Sequence, residues 1–432
     1  MRINKPIIWV IAITIFGTFI QLTQALTTGG SFDTGAVISV WFFAFGLVPA
    51  GIFWLITGRK GKAGNVKKKL LDKRVLGGIA ATFIISFIII NGLTYMTSGF
   101  FFWDVMATHS LPMNMVQEKA GTFTRNYPEV IKGNWEPNAL HMERMMVLDL
   151  ERIKGLGINT VSIAAEYEFA GDGTYFMRDE EKIMSNIVRA KENGFAVWVG
   201  VSFVGGGSGH GLKEKGITLE RYLDVSKEVA LKWAEIAENY SAELFCPQTE
   251  MDYMLRTYYI EGDEAAREAE VVQRVTDWHN RILPEIKKVY TGKTVMKNAA
   301  MSKEWRNITL AGYDYVGSGL VHELMDPDTF RENVRERYSV LAEAAENSNA
   351  DWGIFEAWFP FGGPFFPYTT TKTGQPLEPL QDDYYRISFE EFQNFGGNIK
   401  PTVFIFHSWT MLSSPVKGRP AEDVIKEYFG KM

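Results

Sequence analysis

One cysteine, Cys246, in 432 residues excludes an internal disulfide, so no disulfide-built scaffold holds this chain together. Metal-ligand spacing is missing too. The six histidines, at 109, 141, 210, 279, 322 and 407, include no HExxH pair, and neither a metal nor another cofactor is expected. No glycine-rich phosphate loop with its lysine opens a helix. The nearest approach, GGGSG at 205–209, reads as a flexible loop. GxSxG is absent, and no Ser-His-Asp arrangement is legible.

Charge is absent from three long apolar runs, 7–23, 36–57 and 75–97. At about 1.5 Å rise per residue, each is long enough as a helix to cross a bilayer core of about 30 Å. None contains an ionisable residue, which argues against an ion or substrate pathway through them. The loop between the second and third runs holds Arg59, Lys60, Lys62, Lys67, Lys68, Lys69, Lys73 and Arg74 against Asp72 alone. That bias places the N-terminus and this loop in the cytoplasm, and everything after Tyr95 outside. Residues 1–103 carry ten basic and two acidic side chains, which leaves 35 basic and 49 acidic for the remainder. An acidic outer domain does not suit a nucleic acid or another polyanion; it suits a neutral substrate. The expected organisation is a membrane domain over 1–103, a tether over 104–118 and a globular domain over 119–432.

From about residue 120, short apolar runs rich in β-branched residues alternate with longer amphipathic ones. Strands are expected at 161–164, 195–202, 242–247, 293–297, 313–316, 352–355 and 401–406, and helices at 143–155, 178–193, 219–239, 264–289, 327–347, 388–396 and 421–429. The first strand falls near 121–125 or 130–133. Strands apolar throughout and separated by helices predict a parallel sheet covered by helices. Eight such units fit a (β/α)8 TIM barrel of the α/β class, preceded by three transmembrane helices. A doubly wound open sheet is the alternative.

In a barrel of this kind the chemistry sits where strands end. Glu356, in WGIFEAWF, is flanked by Phe355, Ala357 and Trp358, an apolar setting in which a carboxylate is costly to bury. Glu250, in PQTEMD, follows the fourth expected strand. Carboxylates on strands four and seven face each other across the mouth. Glycoside hydrolysis needs such a pair, one to protonate the leaving oxygen and one to attack the sugar. Further candidates for substrate contact are Glu166 after strand two, His210 after the glycine loop, Tyr313 and His322 around strand six, and Trp358 in the aromatic loop after strand seven.

With PQTEMD, GIFEAW and FHSW in these places, residues 120–432 resemble the clan A glycoside hydrolases, the (β/α)8 barrels of cellulases, β-mannanases and β-glucosidases. The resemblance implies that Glu250 is the acid/base, Glu356 the nucleophile, and Trp409 the aromatic floor beneath the attacked sugar. It also implies a cis peptide after Trp409. Thr249 stands where many members of that clan place an asparagine on the sugar 2-hydroxyl. The expected pair holds its carboxyls about 5–5.5 Å apart, with the proton on Glu250. The implied function is a membrane-anchored retaining glycoside hydrolase acting on an oligosaccharide or polysaccharide. A surface carbohydrate-binding protein on an inactive barrel and a transglycosylase of surface glycans remain as alternatives.

Overall fold

The structure, a computed structural model, describes residues 108–432 apart from 137–138, 178, 204–211, 213–214, 322–325, 361–375 and 411–413. The three apolar runs, the basic loop, His210 and His322 lie outside the described residues, as do Phe361, Phe365, Phe366 and Tyr368. No helix among the described residues is long and apolar enough to cross a membrane.

The barrel strands are β1 (Ile131–Glu136), β2 (Thr160–Phe169), β4 (Ala196–Phe203), β5 (Leu244–Cys246), β6 (Lys293–Asn298), β7 (Tyr315–Val321), β8 (Asp351–Trp358) and β9 (Val403–His407). The short β3 (Tyr175–Met177) folds back antiparallel on the end of β2. All eight barrel strands are parallel to their neighbours, and β1 pairs with both β2 and β9, so that Gly133 lies opposite Thr160 on one side and Ile405 on the other. That closure excludes the doubly wound sheet, which would leave two edges. The first strand is the second of the two expected positions, extended to Glu136. The seam is tight: a Cβ on Gly133 would lie 2.8 Å from Ile405 Cγ1.

Side chains alternate along each strand because successive Cβ atoms face opposite ways. Val197, Val199 and Val201 pack outward under the helices, whereas Trp198 joins Ala164, Cys246, Val295, Tyr315, Phe355 and Ile405 in a separate interior cluster. Trp198 meets Phe355 across the barrel at 5.0 Å between ring centroids. The interior is therefore a packed core, and only its rim is free for chemistry.

The covering helices are α2 (Ala139–Leu148), α3 (Leu150–Gly155), α4 (Glu180–Glu192), α5 (Leu219–Asn239), α6 (Met251–Tyr258), α7 (Glu264–Val289), α8 (Pro327–Ser348), α9 (Leu377–Gln393) and α10 (Pro420–Lys431). Their starts follow from local chemistry. Asp263 accepts from Ala266 N at 3.0 Å to cap α7, and Asp326 accepts from Thr329 N at 3.0 Å ahead of a proline at the start of α8. Helix α9 begins at Leu377, eleven residues before the expected 388, because Leu377, Leu380, Tyr384 and Tyr385 already form a buried face. Part of the expected tether is also ordered: α1 (Met113–Glu118) buries Val116, and Leu111 N donates to Ser185 Oγ of α4 at 2.8 Å.

Candidate active site

Glu356 reaches the rim through an irregularity in β8. Ser318 pairs with Ile354, but its successor Gly319 pairs with Glu356, and on the other side Ile354 and Ala357 flank a second register shift. An extra residue in one strand re-aims the side chain that follows it. Phe355 therefore points into the barrel core while Glu356, next in sequence, also faces inward toward Lys297 and His407.

Glu250 arrives differently. It follows β5 and caps α6 in the left-handed region, at φ 58°, a costly conformation for a residue with a Cβ. Its amide donates to the Lys297 carbonyl at 2.9 Å, and Thr249 N donates to Val201 O at 2.7 Å. The turn is thereby sewn to β4 and β6. The Thr249 hydroxyl also donates to Val201 O, at 3.1 Å.

The two glutamates meet over Lys297. Its Nζ donates to Glu250 Oε1 and, at 2.5 Å, to Glu356 Oε2, which brings the two carboxyls side by side. Lys297 has no exposed side-chain surface; Glu356 retains 10% and Glu250 30%. Burial pushes the Glu356 carboxyl well above its ordinary range against the pull of Lys297, and the Glu250 charge adds to the rise. For Glu250, burial also favours the neutral form, but Lys297 and the adjoining Glu356 carboxyl outweigh it and bring the carboxyl down to about 2. Greater enclosure thus favours the neutral form at Glu356, whereas the resemblance placed the proton on Glu250.

Around the pair stand Trp135, whose ring lies 5.1 Å from Lys297 Nζ, and His407, whose Nδ1 is 3.7 Å from Glu356 Oε1. Burial and the nearby Lys297 charge lower His407 to about 3, so its imidazole is neutral. Glu166, at the end of β2, is raised to about 7 by burial and by the charges of Glu168 and Glu250. Trp358 stacks edge-on toward His407 at 6.0 Å. Gln248 Oε1, Trp358 Nε1 and both His407 ring nitrogens are buried without a hydrogen-bond partner among the described residues.

Two expected site residues are not part of this group. Tyr313 precedes β7, at the opposite end of the barrel from the rim, and its hydroxyl meets His279 Nδ1 of α7 at 2.8 Å. Trp409 has no exposed surface: its amide donates to Glu136 Oε1 and its indole Nε1 to Asp149 Oδ2 at 2.7 Å, so neither ring face is open to a sugar. The cis peptide lies at His407–Ser408 rather than after Trp409. Lys297 and Glu136 were not anticipated. Glu136 is fully enclosed and raised by burial to about 8, despite donation from the Thr410 and Trp409 amides. Its signal in NWEP was slight, because the strand it ends also carries Lys132 and Asn134 and does not read as apolar.

No protein-family model matches the chain, and no curated protein matches it either. Among solved structures, a GH113 β-1,4-mannanase is similar with TM-score 0.51 at 18% identity, over 71% of this chain and 100% of that one. A complex of a GH113 β-1,4-mannanase gives TM-score 0.50 at 17% identity, over 71% and 100% of the two chains. The likeness is one of fold, an eight-stranded parallel barrel covered by helices.

Proposed function

We propose that this chain is a retaining glycoside hydrolase, held in a membrane by its N-terminal apolar runs and acting outside the cytoplasm on a neutral β-linked glycan. The observation that carries the reading is the pair Glu250–Glu356, bridged by the one ammonium of Lys297 at the ends of the fourth and seventh barrel strands. Inverting enzymes separate their carboxyls by about 6.5–9.5 Å to admit a water. Two carboxyls whose oxygens share one ammonium are too close for that spacing and suit attack by one of them. The mannanase fold likeness makes a β-mannan the first substrate to try.

The mechanism starts from the resting proton on Glu356. A sugar covering the exposed side of Glu250 removes the water that stabilises its charge, while Glu356 keeps Lys297. The proton then passes to Glu250. Glu356 attacks the anomeric carbon as the bond to the leaving oxygen breaks, and Glu250 gives that oxygen its proton. Water next attacks the glycosyl ester, Glu250 takes its proton, and Glu356 is released. On this account Glu356→Ala abolishes turnover of every substrate. Glu250→Ala still forms the ester from dinitrophenyl glycosides, and azide restores turnover by replacing water without a base. Near-wild-type rates in either variant would end the hydrolase reading.

A further inference from the structure

We propose that Lys297 is the positioning residue of the glutamate pair, a single ammonium bound to both carboxyls that compensates whichever one is ionised as the reaction proceeds. This rests on the hydrolase reading above.

The geometry accounts for the whole side chain. Lys297 shares the inward face of β6 with Val295 and is completely enclosed. An ammonium has three donors. Two go to Glu250 Oε1 and Glu356 Oε2, and the charge lies 5.1 Å from the centre of the Trp135 ring. Its main-chain carbonyl accepts the Glu250 amide, so Lys297 holds that residue by backbone and side chain together, in a conformation that Glu250 would not keep unaided. Among the described residues, the other titratable groups facing this cluster are His407 from β9, Cys246 from β5, Asp252 from α6, Tyr384 from α9, which faces Glu356, and Glu166 from β2, which faces Glu250.

Charge balance gives the lysine its role. With one proton on the pair, one carboxylate and one ammonium sum to zero, the arrangement least penalised when buried. Proton transfer from Glu356 to Glu250 leaves that sum unchanged. In the glycosyl ester Glu356 is uncharged, and Glu250, having given up its proton, is the carboxylate. The sum is again zero, and Lys297 need not move because it already touches both. Without it, the pair would give up its first proton only at a higher pH, and less of it would hold a carboxylate at the acid end of the working range.

The test compares the full-length wild type with K297M and K297R on 2,4-dinitrophenyl β-mannoside, following kcat/KM against pH. An opposite charge at this range depresses a carboxyl by about 1–3 units, so K297M should move the acidic limb up by about that much, and K297R should keep it in place. A fall in kcat with an unmoved limb would make Lys297 a packing residue only and overturn the proposal.

A second arm needs no turnover. Thermal midpoints of the same proteins at pH 7 and pH 4 should show a K297M penalty that is larger at pH 7. The depressed Glu250 contributes stability above its ordinary value and loses it as pH falls toward about 2. An equal penalty at both pH values would overturn the proposal. If wild type turns over no glycoside, the hydrolase reading fails while this arm still decides what Lys297 does for the pair. Should K297M not fold, the double variant E250Q/K297M recovers folding if charge compensation is the role, and stays unfolded if it is not.

Discussion

At the N-terminal face of the barrel, Lys191 from the last turn of α4 reaches a second enclosed carboxylate, Glu243, just before β5. Their side chains are 4% and 0% exposed. The Lys191 ammonium also donates to Thr124 O at 3.1 Å and Ser241 O at 3.0 Å, and the carboxylate accepts Asn126 N at 2.8 Å and Val197 N at 2.7 Å. Lys191→Met would leave this buried charge without its cation, which costs about 3–5 kcal/mol. Adding Glu243→Gln removes the charge while its amide oxygen still accepts one backbone N–H. What remains is one unpaired buried donor, about 1–3 kcal/mol. The double variant should therefore be more stable than the single one. Urea unfolding followed by tryptophan fluorescence measures both, as a shift in midpoint at unchanged slope. A Lys191→Met cost below about 1 kcal/mol, or a double variant no more stable than the single, would refute the assignment of this pair as a closed structural clamp.

Two further outcomes are expected. An acid whose pKa is raised by folding supports the fold at low pH, and that support is lost as pH rises from its ordinary value toward its folded one. Glu356→Gln should therefore raise the thermal midpoint most at pH 7–8, with the gap closing toward pH 4. A lower midpoint than wild type at pH 7 would refute the raised carboxyl. Protease added to intact cells should remove the domain after Trp103 and spare loop 58–74; the opposite pattern would reverse the proposed orientation.

The eight-unit plan was legible because most barrel strands are buried on both sides and read as apolar runs, while the covering helices carry an apolar face. Glu356 was legible for the same reason: a carboxylate inside GIFEAW has no solvent to explain it. Its aim was not, since the register shift around Phe355 depends on how Gly319 and Phe406 pair beside it. Lys297 was hidden in KTVMKN, where a lysine near the end of a short strand reads as solvated; only closure of the barrel brings it beneath two glutamates from other units. Tyr313 and Trp409 misled for a related reason. Nearness in sequence to a strand does not say which end a residue occupies, nor which way the chain turns after leaving it. Glu136, 273 residues from Trp409, decides the second by accepting its amide.

The two buried lysine–carboxylate groups differ in what surrounds them, and that difference assigns their roles. At the N-terminal face, each Glu243 oxygen accepts a backbone amide and Lys191 has three acceptors, so the group is closed. At the C-terminal face, Glu250 keeps 30% of its side chain exposed, and Gln248, Trp358 and His407 hold buried polar atoms with no hydrogen-bond partner among the described residues. Nearly all buried polar groups in folded proteins are paired. A cluster of them beside an open carboxylate has the donors and acceptors that a polyhydroxylated ring would engage, whereas the Lys191 group has no capacity left to offer. The same ion-pair chemistry thus fixes the barrel at one end and, on the proposed function, equips it for a sugar at the other.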